Sequence, residues 1–303
     1  MKPLLLCFPD VEEVKSPTDA DILLIQENNS FKNFNYITSI LEDPLLCNCY
    51  HKVYTINTDD CATGLFRGLY TSLPKSRFNS NLYAAVPYLK YPNELVFLNN
   101  KQEIEPNYLA SWRGNTKSNS VRSKLFRALS SIPSIHLEKT DSWLNHSFEE
   151  KQTYVELIQQ AKFSLCPAGW APVSFRIYES MALGKCPVII ADNFVPPKGP
   201  NWSDFALFFP EKHIANLYSF LLQHEESHQI LGSKAQEEWN RFFSPEKINE
   251  FYTQSLHSLL VLNSASSQEA ELKRWRSFNF YWSNNWTVPQ RVFNKIRKLT
   301  RIN

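Results

Sequence analysis

The stretch KFSLCPAGWAPVSFRIYESMALGKCPVIIADNFVPPK, residues 162–198, decides how this chain is read. Its composition spells strand, glycine loop, helix and strand in succession. Gly169 follows the first apolar run, where a residue without a Cβ lets the backbone turn sharply or approach a ligand. Gly184 reads as the cap at the end of the helix, just ahead of Pro187. Ser174 stands near the helix start, and Arg176 and Glu179 lie one turn apart on the face turned toward the loop. Helix N-termini present free N–H groups and partial positive charge, so a diphosphate fits there. Arg176 would grip phosphate oxygens and Glu179 would accept hydrogen bonds from ribose hydroxyls. Spacing alone leaves the alternative open: Arg176 and Glu179 also suit an i,i+3 surface ion pair.

Glycine is scarce, seven in all, which makes the positions of Gly114, Gly169 and Gly184 informative. Tyr108–Trp112 is a strand candidate running into Arg113-Gly114-Asn115, and Ser120–Leu129 has apolar residues at helical spacing. A second strand, arginine-glycine loop and helix thus precede the first set. Arg113 and Arg122 would point at the same diphosphate as Arg176, or else be solvated surface cations. Phe148–Ala161 is predicted helical with Tyr154, Leu157 and Ile158 on one side. Val188–Ile190 and Phe205–Phe209 are predicted strands, and Ile214–Leu222 a helix. Such β-α alternation implies a parallel sheet with helices on both faces.

In the N-terminal part, Asp21–Ile25 and His51–Asn57 read as buried strands, and Leu4–Phe8 as a first one. Glu27 and Asn28 follow one strand, Asp59 and Asp60 another, at the ends where α/β folds place binding groups. Residues 64–97 contain Pro74, Pro87 and Pro92 without a helical period, and read as irregular. Three segments result: an α/β domain over 1–107, a second α/β domain over 108–265, and a tail over 266–303.

With 303 residues, 43% hydrophobic and 20% charged, the chain has material for a packed core and is no disordered polyelectrolyte. A net charge of +2 lacks the basic excess of a nucleic-acid binder, so no nucleic-acid partner is expected. The six cysteines are dispersed without zinc-site spacing and read as reduced structural thiols. No signal or membrane-span pattern stands out, which predicts a cytoplasmic protein, peripheral at most on the inner face of a membrane. Residues 273–303 carry eight Lys or Arg and no acid, mixed with Trp275, Phe278, Phe280, Tyr281, Trp282, Trp286 and Phe293. That mixture suits contact with an anionic membrane surface. It suits equally an aromatic segment packed back on the protein with its charges in water.

The ordered set Trp112-Arg113-Gly114-Asn115, Arg122, Tyr154, residues 162–169, Ser174 to Asp192 and Asn201-Trp202-Ser203-Asp204 resembles the exostosin-type glycosyltransferases, family 47. The resemblance runs from about residue 108 to 260. It implies a GT-B fold, two Rossmann-like domains facing a cleft; for the C-terminal tail, packing back on the N-terminal domain stands as the alternative to membrane contact. It implies an inverting transfer from a UDP- or GDP-sugar to a hydroxyl of a polysaccharide or lipid-linked glycan, as in surface polysaccharide synthesis. No metal or other cofactor is implied. By position, Arg113, Arg122 and Arg176 would contact the diphosphate. Gly114, Cys166, Pro167, Gly169, Ser174 and Phe175 would shape its loops, and Glu179 would take the ribose. Ala168 departs from the pattern, since many relatives have Arg or Ser there.

An inverting transfer needs a base for the acceptor hydroxyl. Asp60 and Asp59 are the first candidates and Glu27 the next, although each also suits a cap or turn. Asp19-Ala-Asp21 precedes its strand, unlike a metal-binding Asp-x-Asp, and no metal site is expected. Two alternatives remain at this stage: a GT-B fucosyltransferase using GDP-fucose, suggested by Pro196-Pro197-Lys198, and a catalytically inactive sugar-binding or scaffold subunit.

Overall fold

The computed structural model describes residues 12–27, 34–60, 64–98, 104–141, 146–262, 267–278, 280, 292 and 296. These fall into two compact units, one containing residues up to Ala85 together with those from Tyr252 onward, the other Val86–Phe251.

The first unit begins with β1 (Leu23–Glu27), α1 (Phe34–Leu41), β2 (Val53–Asn57), β3 (Arg67–Tyr70) and β4 (Tyr83–Ala85). The strands pair in the order β1-β2-β3-β4, all parallel. The two strands expected from the sequence are present, and β2 is buried at every position, as an apolar run in a parallel sheet should be. The expectation of an irregular 64–97 is corrected by β3 and β4. Arg67 and Gly68 hide β3 in the sequence, because a cation and a glycine interrupt its apolar pattern. Arg67 is only 2% exposed, yet its charge is met by Glu271 at 3.7 Å and its guanidinium donates to the His51 carbonyl. Gly68, at φ +146°, lies so close to β2 that a Cβ would stand 2.0 Å from the Thr55 carbonyl oxygen. Only glycine permits that approach.

The second unit contains β5 (Tyr108–Gly114), α2 (Ser120–Leu129), β6 (Ile135–Lys139), α3 (Phe148–Gln159), β7 (Ala161–Pro167), α4 (Phe175–Ala182), β8 (Cys186–Ile190), β9 (Leu207–Phe208), α5 (Leu217–Gln223) and α6 (His228–Glu238). Its parallel sheet has the order β6-β5-β7-β8-β9. The expected strand over 205–209 is reduced to the two residues of β9, and β6 is an addition. Ser111 and Ser164 sit side by side in neighbouring strands. Ser111 Oγ donates to the Leu157 carbonyl of α3 at 2.9 Å, and Ser180 Oγ of α4 donates to Ser164 Oγ at 2.7 Å. Helices α3 and α4 therefore cover one face. On the other, Arg122 of α2 lies over the Trp112 ring at 5.9 Å. Helices on both faces are as the β-α alternation required. Gly184, at φ +68°, ends α4 in the left-handed conformation expected of it.

The segment after Ala85 belongs to this second unit and not to the first, where a boundary at 107 would put it. Tyr88 packs on Phe175 with ring centroids 3.9 Å apart, and Phe97 stacks on Trp239 at 5.3 Å. At the other end the division falls inside α7 (Ile248–Leu262), ahead of the expected 265. Helix α8 (Gln268–Trp275) then completes the first unit. Trp275 joins Tyr50, Val53, Leu65, Phe66 and Phe280 in one apolar cluster, and its indole donates to the Leu65 carbonyl at 2.9 Å. Arg274 donates to the Gly64 carbonyl at 3.0 Å and to that of Leu65, and pairs with Glu271 at 2.7 Å.

The tail thus packs back on the N-terminal unit through Arg274, Trp275 and Phe280, so these three are not presented to a membrane surface. Lys273, Arg276 and Phe278 are exposed. Most of 281–303 lies outside the described residues, as do the expected strand over Leu4–Phe8, Asn28, Cys7 and Cys61. Cys47, Cys49, Cys166 and Cys186 are free thiols. Among the described residues no helix is long and apolar enough to cross a membrane.

Replacing Trp275 by Ala removes the centre of the first unit's cluster and leaves the Leu65 carbonyl with one donor fewer. The expected loss is about 3–5 kcal/mol, measured by urea unfolding of the full chain. A loss within about 0.5 kcal/mol, typical of a surface change, would show that α8 is not part of the core.

Candidate active site

Three strand ends of the second sheet meet at one edge. Gly114 closes β5, Pro167 closes β7 and leads through Gly169 into α4, and Ile190 closes β8. The C-terminal edge of a parallel sheet is where α/β proteins hold ligands, because helix N-termini and strand-end loops converge there.

Arg176, the second residue of α4, occupies this edge. Its side chain is nearly buried, at 7% exposure. One guanidinium nitrogen donates to the Arg113 carbonyl at the end of β5. The guanidinium carbon lies 5.2 Å from the Tyr154 ring centroid and 5.8 Å from that of Trp112. Nε of Arg176 and Nε1 of Trp112 are buried donors without a hydrogen-bond partner. No carboxylate pairs directly with Arg176 among the described residues. Gly114 adjoins this group: a Cβ there would lie 3.0 Å from the Trp112 ring and 3.7 Å from an Arg176 nitrogen.

Glu179 is also buried, at 3% exposure. The surface ion pair that spacing allowed is not what forms, since Glu179 takes its hydrogen bond from the Tyr154 hydroxyl. Burial pushes the Glu179 carboxyl above its ordinary range, while the Tyr154 hydrogen bond and the Arg176 charge pull it back. Burial likewise holds the Tyr154 phenol well above its usual value, so it remains a donor.

Arg122 braces the two loops. Its Nε donates to the Ala168 carbonyl at 3.0 Å and its Nη1 to the Asn115 carbonyl at 3.3 Å. Asn119 adds a bond to the Gly169 carbonyl at 2.9 Å. A Cβ on Gly169 would stand 2.6 Å from Nη2 of Arg122, so glycine leaves room for the brace. Arg113 differs from the expectation that it joins this group. It sits on the strand face opposite Trp112 and pairs with Glu138 at 3.3 Å and Glu150 at 3.6 Å, also donating to the Glu150 carbonyl at 3.0 Å. What it gives the site is its carbonyl, which receives Arg176.

Ser174 precedes α4 with no side-chain capping bond, and Phe175 packs against Tyr88 and Tyr91. Cys166 lies in the core beside Ser164 and Ser180, its thiol pushed up to about 12 by burial, so it lines the site through backbone only. Trp170, in the loop after Gly169, is 57% exposed. Tyr154, Trp112 and Asn119 were given no role by the sequence, although Tyr154 lies on the apolar stripe of α3.

In the first unit, Glu27 ends β1 beside Asn57 at the end of β2. The Asp59 amide donates to Asn57 Oδ1 at 3.0 Å, and Ser72 Oγ donates to the Asp59 carbonyl. Glu27 is buried, Asp59 half-buried and Asp60 exposed. These acids share one sheet edge, as their strand-end positions implied. Among the described residues no three His, Cys, Asp or Glu side chains gather as metal ligands.

A probable glucuronosyltransferase 47 A of Physcomitrium patens is 37% identical over 120 residues, which are 37% of this chain and 27% of that protein. A probable beta-1,4-xylosyltransferase IRX10L of Arabidopsis thaliana is 30% identical over 152 residues, 43% of this chain and 37% of the relative. The chain therefore spans well under half the length of these relatives. Among solved structures, TarM superposes with a TM-score of 0.41 at 9% identity, covering 71% of this chain and 55% of that one. The Exostosin GT47 domain matches residues 46–224, more than half of the sequence, and the chain belongs to that family.

Proposed function

We propose that the chain is an inverting glycosyltransferase that moves a sugar from a nucleotide-diphosphate donor to a hydroxyl of a polysaccharide or glycolipid, in the building of a surface polysaccharide. The observation that carries this reading is Arg176, buried at a strand-end edge with an unpartnered Nε and no carboxylate in direct contact among the described residues. A buried cation that no carboxylate contacts directly is costly, a cost that an anionic ligand offsets. The N-terminus of α4, the Trp112 indole N–H and the loops braced by Arg122 supply further donors for a diphosphate. Glu179, one turn on, suits the ribose. The names of relatives, a glucuronosyltransferase and a xylosyltransferase, support a uronic acid or a pentose as the transferred sugar.

The chemistry asked of these groups is modest. The acceptor oxygen attacks the anomeric carbon as the bond to the diphosphate breaks, and the acceptor proton passes to a base. The negative charge that builds on the leaving diphosphate falls on Arg176 and the α4 N–H groups, which are already in position. As the base we propose Asp60 or Asp59 first and Glu27 next.

Arg176→Ala is expected to lower kcat/KM by about 100- to 1000-fold, with a circular dichroism spectrum like that of the wild type. Arg176→Lys should recover only part, because a point charge does not reproduce a planar fork. In a thermal-shift screen, UDP or GDP at roughly 100 times its dissociation constant should stabilise the chain by about 2.7 kcal/mol; no shift with any nucleotide or nucleotide sugar removes the reading. Turnover should persist in excess chelator, and loss restored by manganese would mean that a metal carries the diphosphate.

A further inference from the structure

One side chain touches both charged members of the site. Tyr154 reaches from α3 to donate its hydroxyl proton to Glu179 Oε2, and its ring lies under the Arg176 guanidinium at 5.2 Å. Both contacts are shielded from water, since Arg176 is 7% and Glu179 3% exposed. A carboxylate with one oxygen fixed by a phenol cannot rotate freely, so its other oxygen is held in one direction. A buried carboxylate in such a place is otherwise difficult to explain, because burial opposes its ionised form and Arg176 does not pair with it directly.

We propose that Tyr154 is a positioning residue for ligand binding: it holds Glu179 as an oriented carboxylate acceptor for a vicinal diol, such as the ribose of a nucleotide. The inference rests on the nucleotide reading above. The groups facing Glu179 are Tyr154 from α3, Arg176 from its own helix and Cys166 from β7, whose thiol stays neutral. Of these, Tyr154 and Arg176 favour the ionised form of Glu179 against the burial that opposes it. The sign follows. Diol recognition by the carboxylate weakens as pH falls through the Glu179 titration, and removing the Tyr154 hydroxyl moves that titration to higher pH.

The test compares affinities of UDP and 2′-deoxy-UDP, and of GDP and 2′-deoxy-GDP, by calorimetry from weakly alkaline to weakly acidic pH. The ratio of ribose to deoxyribose affinity cancels the titration of the phosphates. For the wild type the ratio should be about tenfold at alkaline pH, the worth of one charge-assisted hydrogen bond, and should shrink toward one on acidification. For Tyr154→Phe the same loss should come at higher pH. For Glu179→Gln the ratio should be small and flat across the range. Superimposable profiles for Tyr154→Phe and the wild type overturn the inference and leave the nucleotide reading intact. If Tyr154→Phe does not fold, Glu179→Gln decides alone, and a ratio that still falls with pH overturns the proposal. Absence of binding by all four nucleotides, in every form of the protein, overturns both.

Discussion

The cost of burying a positive charge organises the second unit. Arg176 cannot stay in the interior unless its donors meet oxygen or π-electron density, and the sheet edge supplies both through the Arg113 carbonyl, Trp112 and Tyr154. Each supplier depends on the parallel topology, because β5 and β7 must end side by side for α4 to deliver Arg176 over the end of β5. Gly114 and Gly169 are small for the same reason: one adjoins Arg176 and Trp112, the other makes room for Arg122. What the protein leaves unmet, Nε of Arg176 and the indole N–H of Trp112, is what a diphosphate can meet.

The first unit treats a buried arginine differently. Arg67 has Glu271 beside it, Glu271 also pairs with Arg274, and Arg274 in turn donates to backbone carbonyls. Two cations share one carboxylate there, and the group acts as a fastener between β3 and α8. Two arginines of similar burial thus differ in their surroundings: a carboxylate pairs directly with Arg67, and none pairs directly with Arg176 among the described residues.

This difference also marks what could be read from the residues in order. The strand, loop and helix over 162–184 were legible because apolar runs, glycine and proline punctuate them locally, and the two-unit α/β plan followed from the same alternation. Strand β3 was not legible, since Arg67 and Gly68 make sense only once Glu271 and β2 are beside them. Arg113 shows a subtler failure. Its place in a post-strand glycine loop suggested a ligand contact, but side chains alternate across a strand, and Trp112 and Gly114 already occupy the side turned to Arg176. The partnership of Tyr154 with Glu179 has no local signal, because it arises from the packing of α3 beside α4 on one face of the sheet.

Helix α8 carries a consequence for how the protein is made. The second unit is one continuous stretch, Val86–Phe251, and all of it is synthesised before α8 is added. The first unit has its sheet near the start of the chain, while Trp275 and Arg274 come near the end. Its strands must wait, with the pocket for Trp275 open, through the synthesis and folding of an entire α/β unit. The part made first is therefore the part finished last, and the interval in between is when its apolar surface is open to chaperones or to aggregation.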